Sequence, residues 1–318
     1  MKKDKKEERS KNPKEDTERK RIVDIKEGTY SDGHPLDDIQ YLECKIILKG
    51  DRFTSVESFY DFAKIVKRAA ENSDVGFSTK GFKGLQPQIR EVLFVDTEDY
   101  KLYNNAFILR RRIPYQHGFL AGDPEIVFKF RHPDMQKTAD LDVRPKLISD
   151  YRIKFKAEML PLKDEIGGLR MLYSHNVQFP MSQVHEADRA SLVTLTRVFP
   201  PLQALQISEG EKVDFVHHTA VAEVLLDIGM LDFGKGVTAK ANVAVWRTRG
   251  DEKQLVGEFA YQCKFRRRDE LHAVAMKRCE QFFCSLQLAA QDWVSLSTTK
   301  TGAVYRLKGN PPQAHEGP

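Results

Sequence analysis

Cysteine is scarce in this chain of 318 residues, and the four present, Cys44, Cys263, Cys279 and Cys284, form no CxxC pair and no disulfide-framework spacing. A disulfide-stapled fold is thereby excluded, and a reducing, cytoplasmic compartment fits, with each thiol serving as a small apolar side chain. Long apolar runs are also missing: nothing approaches the ~18 consecutive apolar residues of a membrane helix. The N-terminus has no apolar secretory segment, so no membrane span is expected. There is no Walker loop, no GxGxxG fingerprint, and no Ser or Cys in a nucleophile motif. Even positive charge is scarcer than the net +5 implies. Residues 1–21 hold ten Lys/Arg against six Asp/Glu, so the rest of the chain carries a surplus of only one. A broadly basic nucleic-acid surface is not favoured on that balance. Any attraction for anions must come from where the charges sit.

What is present begins with a polar, charge-mixed stretch over 1–38 that reads as a disordered tail. A single domain is expected over 39–308, followed by a second short tail at 309–318. Strands are predicted at 41–49, 91–97, 106–113, 125–132, 139–145, 151–159, 212–219, 220–231, 238–247 and 255–265, with a further short one near 303–308. Helices are predicted at 55–72 and 269–293, and two helical segments between 162 and 208, broken by Pro180 and by Pro200-Pro201. Residues 73–90, with three glycines and Pro87, read as a loop. The adjacent His217 and His218 would point to opposite faces of a strand and so cannot chelate together.

Alternation within the strands is the most informative feature. Residues two apart share a face, and Arg110 with Arg112, Lys129 with Arg131, and Arg152, Lys154 and Lys156 all fall on shared faces opposite apolar neighbours. Lys240 with Asn242, and Gln262 with Lys264, continue the pattern, while Glu43 with Lys45 and Asp140 with Asp142 and Arg144 are mixed-charge faces. The plainer arrangement is a sandwich with charged faces to water. Two points weigh against it: the faces are mainly cationic on strand after strand, and the predicted helices supply cover for the apolar faces from outside. Such a sheet closes into a barrel with a polar lumen. Cations inside it call for an anion or interleaved carboxylates, and Arg and Lys suit phosphate.

The order of elements resembles the CYTH domains of the triphosphate tunnel metalloenzyme superfamily. The resemblance rests on ECK at 43–45, on VLFVDTEDYKLYNNAFILRRR at 92–112, on IVFKFR at 126–131 and on VGEFAYQCKF at 256–265. It implies an α+β fold, an antiparallel eight-stranded tunnel barrel with helices packed outside, that binds a triphosphate or polyphosphate. By that resemblance Lys45, Arg110 and Arg112 would be catalytic, and Lys129, Arg131, Arg152, Lys154, Lys156, Lys240 and Lys264 phosphate-binding. Mg²⁺ or Mn²⁺ would be held by Glu43, Asp140, Asp142 and Glu258. The chain departs from the family's acidic pattern, with Tyr41 in place of the first glutamate and Tyr261 and Cys263 in place of a late pair. Two functions therefore stay open. One is a divalent-metal-dependent triphosphate phosphohydrolase. The other is a non-catalytic module binding a nucleotide, polyphosphate or RNA 5′ end.

Overall fold

The computed structural model describes residues 23–309, except 190, 209, 268, 269 and 297. The first half of the chain runs β1 (Tyr41–Leu48), α1 (Val56–Glu71), β2 (Gly76–Ser78), β3 (Gln88–Asp96), α2 (Lys101–Asn104), β4 (Phe107–Gln116), β5 (Phe119–Leu120), β6 (Glu125–His132), α3 (Met135–Asp140) and β7 (Arg152–Leu160). The second half runs β8 (Arg170–Pro180), α4 (Leu192–Val198), β9 (Asp214–Phe215), β10 (Val221–Asp232), β11 (Thr238–Thr248), β12 (Gln254–Lys264), α5 (Ala273–Ala289) and α6 (Lys300–Tyr305).

Nine of these strands pair in the order β10-β11-β12-β1-β7-β8-β6-β4-β3, and β3 then pairs back onto β10 through Val221–Leu225 against Val92–Gln88, closing the ring. Strand β2 extends the far end of β10, β5 hangs on β4, and β9 on β3. A ring in which every neighbour is antiparallel needs an even number of strands. Nine is odd, and the one parallel junction is β1 with β7, from Tyr41 opposite Lys156 to Cys44 opposite Met159. The fold is α+β as expected, but mixed and nine-stranded rather than antiparallel and eight-stranded.

The extra strand is β8, in a region whose spacing reads as helical. Its residues are buried on both faces from Leu172 to Phe179, and its inner face carries Ser174, Asn176 and Gln178 rather than lysines, so it lacks the charge alternation that marks its neighbours. Other corrections have local causes. Residues 139–145 form no strand: the Asp134 side chain accepts the Lys137 amide to start α3, and Asp142 accepts the Arg144 amide in a turn. Residues 303–308 form no strand: 303–305 end α6, which the Thr299 hydroxyl caps by accepting the Gly302 amide, and 306–308 are a turn. The 212–219 segment is a strand only at Asp214–Phe215, because His217 and His218 take φ of 57° and 51° and turn the chain.

Apolar outer faces are covered in two places. Leu42, Cys44 and Ile46 of β1, with Val243, Val245, Phe259 and Cys263 of β11 and β12, pack under Phe59, Phe62 and Val66 of α1 and Cys279, Phe282 and Leu286 of α5. On the other side Phe107, Leu109, Phe128, Phe130, Val177 and Phe179 pack under Leu192, Leu195, Val198 and Phe199. Val23 and Ile25 are buried in the first cluster and Tyr30 is buried nearby. Residues 23–38, read as tail, are therefore packed onto the body; 1–22 and 310–318 lie outside the described residues.

Candidate anion site in the barrel lumen

With one face of each strand spent on the covered cores, the other face must turn inward. The lumen is a cavity of about 380 Å³ lined by ten cations, Lys45, Arg90, Arg110, Arg112, Lys129, Arg131, Lys154, Lys156, Lys240 and Lys300. Three glutamates, Glu43, Glu223 and Glu258, line it with them, and Glu158, Glu125 and Asp227 pair with Lys129, Arg112 and Lys240 from beside the lining, so ten cations meet six carboxylates, an excess of four positive charges.

Charge is graded along the axis. At one end the inward residues turn apolar: Ile47, Val92, Phe94, Ile108, Trp246 and Val256 pack with Tyr103, Val304 and Tyr305 into a floor. The short helix α2 is held there by Asp96, whose carboxylate accepts the amides of Thr97, Leu102 and Tyr103 and the Tyr305 hydroxyl, at 2.8–3.0 Å. Toward the other end lie Lys154, Lys240 and Arg112. Lys240 is half exposed, 2.8 Å from Asp227.

Just above the floor the glutamates are enclosed. Glu158 Oε1 accepts Lys129 Nζ at 2.7 Å and the Ser174 hydroxyl at 2.6 Å, with Lys45 Nζ at 3.1 Å and Arg131 3.9 Å from Oε2. Burial pushes the Glu158 carboxyl up, but Lys129, Lys45 and Arg131 outweigh that and hold it well below the usual carboxylate range. Glu43 receives Lys45 at 2.6 Å, Lys156 at 3.0 Å and the Gln262 amide at 3.1 Å. Burial works against its ionisation too, and Lys156 and Lys45 overcome it. Glu223 accepts the Trp246 indole N–H at 2.9 Å and lies 2.7 Å from Arg90 and 3.3 Å from Lys300.

Two cations have no such partner among the described residues. Arg110, on β4, makes no ion pair, and its buried Nε has no hydrogen bond. Burial and the adjacent Arg112 push its pKa down to about 10, yet a guanidinium stays charged at physiological pH. Lys154, on β7, also faces the lumen unpaired, and burial followed by Lys156 and Arg152 lowers its pKa to about 8. Half-buried cations of this kind lack the counter-charge that would offset their desolvation. This barrel is a cationic blind tunnel.

The tunnel gathers most of the residues singled out from the sequence: Lys45, Arg110, Arg112, Lys129, Arg131, Lys154, Lys156, Lys240, Glu43 and Glu258. It leaves out four. Arg152 lies at the rim, 70% exposed and 3.6 Å from Glu125. Lys264 is exposed over the Tyr41 ring. Asp140 and Asp142 belong to a separate surface hollow, where Asp142 pairs with Arg144 at 2.6 Å and Asp140 accepts the Gln136 amide at 2.7 Å. Four further residues of the site, Arg90, Glu158, Glu223 and Lys300, are not among those singled out from the sequence. Glu158 was recoverable, since it continues the Arg152, Lys154, Lys156 face of β7. Lys300 was not, because it arrives on a helix from outside the sheet.

The tunnel does not fit the divalent metal that the resemblance implies. Among the described residues no three His, Cys, Asp or Glu cluster in a way that could hold an ion. Each tunnel glutamate is already within 2.7 Å of a lysine or arginine nitrogen.

No known protein family and no curated protein matches the chain. Solved structures do. HpAC1 from Hippeastrum, described as having a dominant triphosphatase activity, is 13% identical, with 86% of this chain and 98% of that chain covered at a TM-score of 0.39. A candidate adenylate cyclase from Bacillus halodurans is 11% identical over 77% of this chain and 89% of its own, with a TM-score of 0.33. PH1819 from Pyrococcus horikoshii OT3 is 11% identical over 82% and 96%, also at 0.33. TM-scores this low leave the chemistry of the tunnel to its own side chains.

Proposed function

We propose that the protein binds a linear phosphate chain, a triphosphate or longer polyphosphate, in the tunnel, and does so without a divalent cation. The observation that carries this is the pair of partnerless, half-buried cations, Arg110 and Lys154, in a lining where cations outnumber carboxylates. An extended polyanion neutralises several of them at once, and charge-assisted bonds from arginine and lysine to phosphate oxygens are among the stronger hydrogen bonds in proteins. The apolar floor limits the ligand to entry by one end. Carboxylates already paired with lysines and arginines favour holding the chain over metal-assisted cleavage, which depends on the ion for charge neutralisation.

Tripolyphosphate titrated in EDTA, followed by melting temperature, tests this reading. The expected result is a saturable upward shift that EDTA does not diminish and that Arg110→Glu removes. Phosphate release from tripolyphosphate with Mg²⁺ or Mn²⁺ would replace the binding module by a hydrolase. A flat melting temperature with every polyphosphate tried would remove both.

A further inference from the structure

One cation of the tunnel does not come from the barrel. Lys300, the first residue of α6, extends its ammonium to 2.7 Å from Glu258 Oε1 and 3.3 Å from Glu223 Oε1, 4.9 Å from the centre of the Trp246 ring. Its side chain is only 18% exposed. Helix α6 is fixed from both sides: the Thr299 hydroxyl accepts the Gly302 amide at its start, and the Tyr305 hydroxyl donates to the buried Asp96 at its end. The ammonium is thus held by the fold between two carboxylates borne on β10 and β12. Glu258 has no other ion pair among the described residues, whereas Glu223 is also bound by Arg90 and Trp246.

We infer that Lys300 is a tethered replacement for a divalent cation. It supplies positive charge at the oxygen pair where a small, oxygen-seeking ion would otherwise sit, and so frees the tunnel from metal. Two acidic side chains converging on one point inside a low-dielectric cavity repel each other unless a cation lies between them. A lysine meets that need with one charge and no coordination geometry, while a divalent ion would bring two charges and demand oxygen ligands. With the ammonium in place, a second cation entering the same point meets direct repulsion. This deepens the metal-free reading of the tunnel but is testable without any phosphate.

The test uses the full chain and Mn²⁺ alone as the probe. Lys300→Met removes the charge and keeps the apolar stem. It should acquire saturable Mn²⁺ binding, read by electron paramagnetic resonance of free Mn²⁺ and by melting temperature, with a midpoint of about 10⁻⁴–10⁻³ M as in weak oxygen sites. The wild type and Lys300→Arg should show none. Adding Glu258→Gln to Lys300→Met should abolish the gain. Lys300→Gln, one atom shorter but uncharged and still a donor, replaces the Met variant if that one fails to fold. Equal Mn²⁺ binding by the wild type, or none by a folded Lys300 variant, overturns the inference. If tripolyphosphate fails to bind the wild type while the variant still gains Mn²⁺, the proposed function falls and the role of Lys300 stands.

Discussion

Along β7, Arg152, Lys154, Lys156 and Glu158 share the inward face, and only Lys154 of the four has no partner of opposite charge among the described residues. Its pKa is lowered from 10.5 to about 8, first by burial and then by Lys156 and Arg152. Below pH 8 the free protein therefore carries an uncompensated ammonium, which a bound polyanion would compensate. Tripolyphosphate affinity should fall as pH rises through 8, with proton uptake on binding between pH 8 and the higher pKa of the complex. Lys154→Met should flatten that pH profile. The stability of the ligand-free protein has the opposite sign. Between pH 8 and 10.5 the unfolded chain binds the Lys154 proton more tightly than the folded one, so this group makes stability rise with pH there. Titration calorimetry in buffers of different ionisation enthalpy reads the proton uptake, and an unchanged profile for Lys154→Met would contradict it.

Among the elements, the two short helices at the floor depend on one carboxylate. Asp96 accepts three backbone amides of the β3–α2 turn and the Tyr305 hydroxyl of α6. Asp96→Ala leaves these buried donors without an acceptor, at about 1–3 kcal/mol for each one that water cannot reach. The expected outcome is a drop in denaturation midpoint, together with weaker tripolyphosphate binding because α6 carries Lys300. Sequence alone reads Asp96 as the end of a strand at a turn, which is correct locally. What it could not reveal is Tyr305, more than two hundred positions away. Elements whose signal is local periodicity, such as α1 and β4, were legible for the same reason that β8 and α6 were not. Periodicity records a contrast between two environments, and β8 is buried on both sides. In α6 the Thr299 cap decides the helix, while the spacing of Val304 and Leu307 says little.

For the whole molecule, three of the four tunnel glutamates tie barrel stability to pH. Burial disfavours the charged form of Glu158, Glu43 and Glu223, yet their lysine and arginine neighbours hold all three below the ordinary 4.5. Carboxyls with depressed pKa stabilise the fold above their unfolded value and lose that contribution as pH falls below it. Acid unfolding should accordingly steepen below about pH 4.5. Glu158→Gln should destabilise at neutral pH by about 3–5 kcal/mol, since it strands the Lys129 ammonium and takes one partner from Lys45 and Arg131. The same variant should show a larger melting shift with tripolyphosphate than the wild type, because the lumen gains one positive charge. Thermal melts with and without ligand measure both.

The chain's own order of residues determined that lysines and arginines share strand faces opposite apolar neighbours, and that helices exist to cover the apolar side. Most of the tunnel lining follows from that alternation, because a period of two survives whatever the strands pair with. Tertiary structure decided the rest. Closure through a ninth strand forced the parallel β1–β7 junction, moved Asp140 and Asp142 out to a surface hollow, and brought Lys300 to Glu258 from the far end of the chain. Which carboxylates are free to hold an ion is a property of their neighbours in space, and spacing along the chain does not record it.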